Sequence, residues 1–308
     1  MKTFSVDVLA GILNTTVGLA TPFLYAALGE TFAQTSGVFN LGVEGIMLLS
    51  AFGAFYVALT TGSLWLGLLA AIFVGLLMGL LMSVVSVSLK AEQGVSGIGL
   101  YMFGMGMSSL LFKVLVGTVK TIEGFKPVAI PFLSDIPFLG PILFKHDLLS
   151  YGAFLLVPAS WWVLEKTDFG IKLKAVGHNP AAADSVGISV NRVRYVAVCL
   201  GAILAGVAGA SLSIAQLDLF QDNLTAGQGF IAVALVYFGS WDPLGVLAGA
   251  LVFSVANSFQ LWMQVLGMKV PPSLAVMLPY VLTILALTLA RNRARQPAAL
   301  NKPFERGE

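Results

Sequence analysis

The densest chemistry in the chain lies in one short stretch, Asn40-Leu-Gly-Val-Glu44-Gly45. Glu44 is the sole charge between Asn40 and Thr60, in an otherwise mostly apolar run. A carboxyl group placed at mid-bilayer costs roughly 2.5–3.5 kcal/mol on insertion scales, so it must face a bundle interior or a water-filled path. Gly42 and Gly45 flank it. That combination suggests a broken helix, whose free backbone groups need protein or a cavity around them. Two roles stay open. Asn40 and Glu44 can border a route for a polar solute, or Glu44 can accept from backbone N–H groups at a helix start and hold the break. Gly227-Gln228-Gly229 suggests a second interruption. Paired interruptions point to a site at the midplane of a membrane bundle. Gln228 can hydrogen-bond a neutral solute or cap a helix. Phe39, Phe103 and Phe230 offer rings for stacking or plain packing. Gln93, Asn257 and Gln260 suit hydrogen bonds between helices.

Other chemistries find no support. His146 and His178 are far apart and Cys199 is the single cysteine, so neither metal-ligand spacing nor an intrachain disulfide is present. No Gly-x-x-x-x-Gly-Lys-Ser/Thr loop occurs, which leaves the chain no recognisable means of hydrolysing ATP. No Gly-x-Ser-x-Gly elbow occurs either.

Composition places these residues on membrane helices. Of 308 residues, 57% are hydrophobic and 10% charged, with a mean hydropathy of +0.90. Soluble domains carry about 45–50% apolar and about 25% charged residues. Most soluble enzymes, disordered chains, coiled coils and disulfide scaffolds are thereby ruled out. A net charge of +2 gives no basis for nucleic-acid binding. A spanning helix needs roughly 20 mostly apolar residues. Clear spans are Val8–Leu28, Leu64–Leu89, Val95–Val116, Leu148–Leu164, Tyr195–Ala215, Leu244–Leu266 and Ser273–Ala290. Asn40–Thr60 and Leu224–Ser240 are less certain, being interrupted by glycines and polar groups. The fold class is all-α: one polytopic transmembrane domain over residues 1–308, with about eight to ten helices, some broken or re-entrant, and a short cytoplasmic helix. The N-terminus has one lysine, Lys2, and the apolar run that follows is of span length, so it is expected to be a first helix rather than a cleaved leader. Small residues four apart, such as Gly75 and Gly79 or Ala202, Gly206 and Ala210, predict close helix packing.

Basic residues set the orientation. Lys166, Lys172, Lys174, Arg192 and Arg194 lie in residues 165–194, and Arg291, Arg293, Arg295, Lys302 and Arg306 in the tail 291–308. Both segments are expected on the cytoplasmic side. Residues 117–147 carry balanced charge and four prolines, and suit a structured external loop. If both uncertain segments cross, the N-terminus lies outside and the C-terminus inside.

Within 165–194, Asn179 is a good N-cap, Pro180 fits the first helical turn, Ala181, Ala182 and Ala183 favour helix, and Gly187 suits a left-handed cap. This predicts a helix of about two turns, without bulky side chains, that either docks in a cleft of another protein or lies on headgroups.

That loop resembles the cytoplasmic coupling loop of ABC-importer permeases, in the branch that serves branched-chain amino acids, ribose-type sugars and nucleosides. Phe39-Asn-Leu-Gly-Val-Glu-Gly-Ile-Met47, Val95-Ser-Gly-Ile-Gly99 and Gly227–Gly239 followed by Trp241-Asp-Pro-Leu-Gly245 resemble the same branch. The Asn-Leu-Gly-x-Glu-Gly-Ile-Met form is most similar to nucleoside permeases, and the length to the shorter member of their usual pair. The resemblance implies that Gly177, Asn179, Pro180, Ala181, Ala182, Ala183, Asp184 and Gly187 couple to an ATPase subunit. The residues themselves suggest a substrate pathway at Phe39, Asn40, Glu44, Gln228 and Phe230, with Asn40 and Glu44 hydrogen-bonding ribose hydroxyls or base edges and the rings stacking on a nucleobase. The resemblance further implies a second permease subunit, a paralogue; an extracytoplasmic substrate-binding protein; no cofactor of this chain's own, ATP being bound by the partner; and a multi-pass place in a prokaryotic inner membrane. Lys174 stands where many relatives carry Arg, which keeps the charge but loses the planar fork. Competing expectations are a permease for ribose-like sugars or branched-chain amino acids, and an ion-coupled secondary transporter built on Glu44. The clear spans offer the latter no other carboxylate.

Overall fold

The computed structural model describes residues 6–266 and 296–305, together with Met277 and Val281. Its long helices are α1 (Val6–Thr35), α2 (Val43–Thr61), α3 (Leu64–Ser83, continued by a π turn to Ser88), α4 (Gln93–Leu115), α6 (Leu148–Lys166), α9 (Val190–Ser211, continued by a π turn to Gln216) and α11 (Pro243–Val265). All seven are long and apolar enough to cross a bilayer. Shorter elements are β1 (Val128–Ala129), α5 (Leu139–Leu143), β2 (Lys145–His146), α7 (Asp168–His178), α8 (Pro180–Ser185) and α10 (Gln228–Phe238).

Local chemistry explains the boundaries. Asp147 caps α6 by accepting from the Ser150 N–H at 2.9 Å, and Pro243 opens α11. The polar residues of α1 do not end it, because Thr15, Thr16, Thr31 and Thr35 return their hydroxyls to carbonyls four residues back. The first span therefore runs past Leu28 to Thr35 and carries Glu30 and Gln34 inside it. This corrects the expectation that the clear spans hold no carboxylate.

The uncertain segments resolve differently. From Val43 onward the Asn40–Thr60 stretch is one unbroken helix, with Glu44 in its first turn; the break precedes it, in residues 36–42. Leu224–Ser240 is half a span. Its helix, α10, has 11 residues and a length of about 16 Å, against a hydrocarbon core of about 30 Å. The stretch before it begins beside residues 117–147, where Leu219 bridges Thr121, and the turn after α10 brings Trp241 to Gln34 of α1. Apart from Met277 and Val281, Ser273–Ala290 lies outside the described residues, as do Arg291, Arg293, Arg295 and Arg306.

α9 is the most enclosed long helix among the described residues, packed between α1, α2 and α3. Gly29 and Gly201 face each other so closely that a Cβ on Gly29 would sit 2.6 Å from the Gly201 carbonyl oxygen. Gly75 meets the Ala202 carbonyl and Gly206 the Ala71 carbonyl in the same way, so the small-residue spacing closes these seams. One end of the bundle carries α7, α8 and residues 296–305. The opposite end carries α5 and the antiparallel pair β1–β2, in which Val128 faces His146.

Candidate transport and coupling site

α10 begins in the middle of the bundle, where a helix start leaves N–H groups without intrahelical partners. Glu44 supplies the acceptors. Its carboxyl group receives the Thr225 hydroxyl at 2.5 Å, the Gly227 N–H at 2.7 Å and the Gly229 N–H at 2.6 Å. Thr225 is fully buried and Glu44 is 1% exposed. The turn before α10 holds Asn223, Ala226 and Gly227 at positive φ, so the cap stabilises a backbone that would otherwise be unfavourable. Gly229 is required by close approach, since a Cβ there would lie 2.6 Å from the Glu44 Cα. Glu44 thus caps the second interrupted segment. Gln228 does not cap it; its buried Oε1 has no hydrogen-bond partner among the described residues.

The other pathway candidates gather around the same helix. Phe230 meets Tyr101 of α4 edge-on at 5.0 Å between centroids. Phe39 meets Tyr237 of α10 at 6.4 Å, and Tyr237 meets Trp241 at 4.8 Å. Asn40 accepts from the Gly42 N–H at 2.9 Å and so shapes the entry to α2. Phe103, on the outer face of α4, stands apart from this group. Gln93 is buried and receives the Phe39 N–H at 2.7 Å. Asn257 and Gln260 are half-buried on α11.

Glu30 and Gln34 belong to the group and were missed. Glu30 accepts from the Asn40 N–H at 3.0 Å and from the Gln34 amide at 3.2 Å; Gln34 accepts the Trp241 indole N–H at 2.9 Å. A buried polar chain therefore runs from the break before α2, through α1, to the turn after α10. The signal was present: Glu30 and Gln34 are four apart, and an apolar pair, Phe32-Ala33, lies between them.

At the end of the bundle, α8 forms as its local signals predict. The Asn179 side chain accepts from the Ala182 N–H at 3.0 Å, and Gly187 takes φ +87°. Ala183 points inward onto Val176 and Val190. Ala181, Ala182, Ser185 and Val186 are exposed, Val186 to 74%, with Asn179 and Gly187 beside them, while Pro180 and Asp184 are half-buried. Gly177 is buried against α1, where a Cβ would collide with the Thr35 carbonyl oxygen. Lys174 pairs with Glu165 at 2.5 Å, and His178 lines a cavity of about 310 Å³ with this pair and Trp241. His146, at the opposite end, bonds through its ring to the Ile142 carbonyl at 2.7 Å.

The small-residue helix at one end of the bundle is what the resemblance implies, and comparison with known proteins decides the family. The family described as branched-chain amino acid transport system / permease component matches residues 12–287. The chain belongs to this permease family. Among its relatives, the guanosine ABC transporter permease protein NupQ of Bacillus subtilis is 38% identical over 316 residues, covering 98% of this chain and 99% of NupQ. The nucleoside ABC transporter permease protein NupC of Lactococcus lactis is 35% identical, covering 91% of this chain and 92% of NupC. A Haloferax volcanii protein provisionally named a glucose ABC transporter permease, TsgC13, is 38% identical over 86% of this chain and 81% of its own length. No solved structure matches the chain. The permease is a multi-pass inner-membrane protein and a transport subunit, not an enzyme; a separate ATPase hydrolyses the ATP. Permeases of this family work with that ATPase and with a substrate-binding protein.

Proposed function

We propose that this permease carries nucleosides inward, with the ATPase docked on the exposed face of α8. Lys90, Lys166, Lys172, Arg192 and Lys302 lie toward the α8 end, which is the arrangement expected of a cytoplasmic face. Residues 117–147 then face outward and receive the substrate-binding protein. Ala181, Ala182, Ser185 and Val186 present a small, shallow surface that fits a cleft on the ATPase, which binds the ATP. A paralogous second permease completes the channel, in keeping with the resemblance to the shorter member of a permease pair.

The route runs beside α10. Gln228 offers to a base or ribose edge an oxygen that has no partner among the described residues, and Phe39 and Phe230 border the same helix. Asn40 and Glu44 hold the backbone on either side of it. The observation that carries this reading is the half-helix itself: a helix start held at mid-bundle by a carboxyl group from another helix, next to an amide with spare hydrogen-bonding capacity. The guanosine and nucleoside relatives supply the cargo class.

The experiment is uptake by proteoliposomes that hold the complete transporter. ATP-dependent accumulation of labelled guanosine, competed by other nucleosides and not by glucose or leucine, is expected. Uptake of glucose with no response to nucleosides would replace the cargo.

A further inference from the structure

The tail was expected to be merely a basic cytoplasmic extension. Residues 296–305 are instead laced into the α8 end of the bundle. The Ala299 N–H donates to the Gly177 carbonyl at 2.9 Å, two residues before the Asn179 cap of α8. Phe304 packs on the small apolar cluster of Val176, Ala183 and Val190, which supports α8 from beneath. The same segment then reaches the break before α2. The Asn301 N–H donates to the Gly37 carbonyl at 3.2 Å. Lys90 pairs with Glu305 at 2.9 Å, and the Asn301 side chain bonds Glu92, next to Gln93, which receives the Phe39 N–H.

Arg194 joins the two ends of this lacing. It is 1% exposed, and its guanidinium donates from Nε to the Ser36 carbonyl at 3.2 Å and from Nη1 to the Lys302 carbonyl at 3.0 Å. A charge buried on carbonyls alone is costly to place and is kept only where the geometry is tightly held. Here it holds the tail against residues 36–37.

We infer that residues 297–305 form a strap that passes displacement of α8 to residues 37–40, and hence to Glu44 and α10, with Arg194 as its positioning residue. The inference rests on the reading of α8 as the ATPase-docking helix. Backbone bonds and a ring seated under α8 move with it. Their other attachments, at Gly37 and through Glu92–Gln93 at Phe39, lie on the segment that enters α2. A second path through α7 and Thr35 exists, so cutting the strap reduces coupling without dismantling the fold.

The test measures guanosine moved per ATP hydrolysed by the reconstituted full transporter. Phe304→Ala is expected to retain assembly and ATP hydrolysis while the ratio falls roughly fivefold or more, the low end of allosteric coupling between sites. Lys90→Glu is expected to lower the ratio, and the reciprocal pair Lys90→Glu with Glu305→Lys to restore it; a merely structural contact would leave the ratio unmoved. Ala182→Trp serves as the comparison. If it lowers the ratio while Phe304→Ala and Lys90→Glu leave it unchanged, the strap is overturned and α8 docking stands. If Ala182→Trp changes nothing, the docking reading fails and takes the strap with it. Should Phe304→Ala not assemble, the charge exchange decides: restoration by the pair supports the strap, and an unchanged ratio in both overturns it.

Discussion

Gly229 of α10 lies against the backbone of Glu44 on α2, its N–H donating to Glu44 Oε2 at 2.6 Å. Two helices far apart in sequence thus meet where one starts and the other has just begun. The contact leaves no room for a side chain and fixes the level at which α10 begins.

Gly229→Ala should therefore push α2 and α10 apart. The added methyl would lie 2.6 Å from the Glu44 Cα, and neither backbone can yield cheaply. A loss of about 1–3 kcal/mol is expected, the usual cost of overpacking. Thermal unfolding in detergent checks this, and uptake should fall with it.

Glu44→Gln keeps the shape but replaces one acceptor oxygen with an N–H₂ group. At least one of Thr225, Gly227 and Gly229 then faces a donor. Leaving a buried donor unpaired costs about 1–3 kcal/mol. The substitution should raise amide exchange at Gly227 and Gly229 specifically, with α8 unaffected. Exchange unchanged at these two amides would show that the cap is dispensable.

Trp241→Phe removes the indole N–H that reaches Gln34 while preserving the ring against Tyr237. A loss of about 0.5–1.5 kcal/mol is expected for one hydrogen bond. Combined with Gln34→Leu, the two losses should add to less than their sum, because both break the same link. Full additivity would separate Trp241 from the Glu30–Gln34 chain.

Glu92 provides the pH dependence. It caps α4 by accepting from Val95 and Gly94 N–H groups, and those bonds hold its carboxyl below the usual glutamate range. Because the folded value is depressed, the cap's contribution is fully present above the ordinary value of about 4.3 and is lost as pH falls through the folded value. Amide exchange at Gly94 and Val95 should therefore be slow at neutral pH and faster in acid, beyond the intrinsic rates. Glu92→Gln should remove that dependence.

Much of the architecture was legible because lipid imposes long apolar runs, and α8 was legible because its cap, proline, alanines and glycine all act locally. What escaped notice depended on distant partners. The span read from the sequence stops at Leu28, short of Glu30, whereas the helix runs on because the threonine hydroxyls of α1 are satisfied within it. The tail looked like a charge signal alone, since the bonds from Ala299 and Asn301 are made by backbone N–H groups that no side chain announces. Glu44 was recognised as buried, and capping at a helix start was one of its two expected roles. That the start belongs to α10 rather than α2 is a matter of tertiary contact.

What Ala182 touches decides whether α8 is the helix that docks on the ATPase. A photo-crosslinking residue at this position, in membranes that hold the assembled transporter, should join covalently to the ATPase subunit. Adducts formed only with lipid, or with a protein on the outer face, would contradict it.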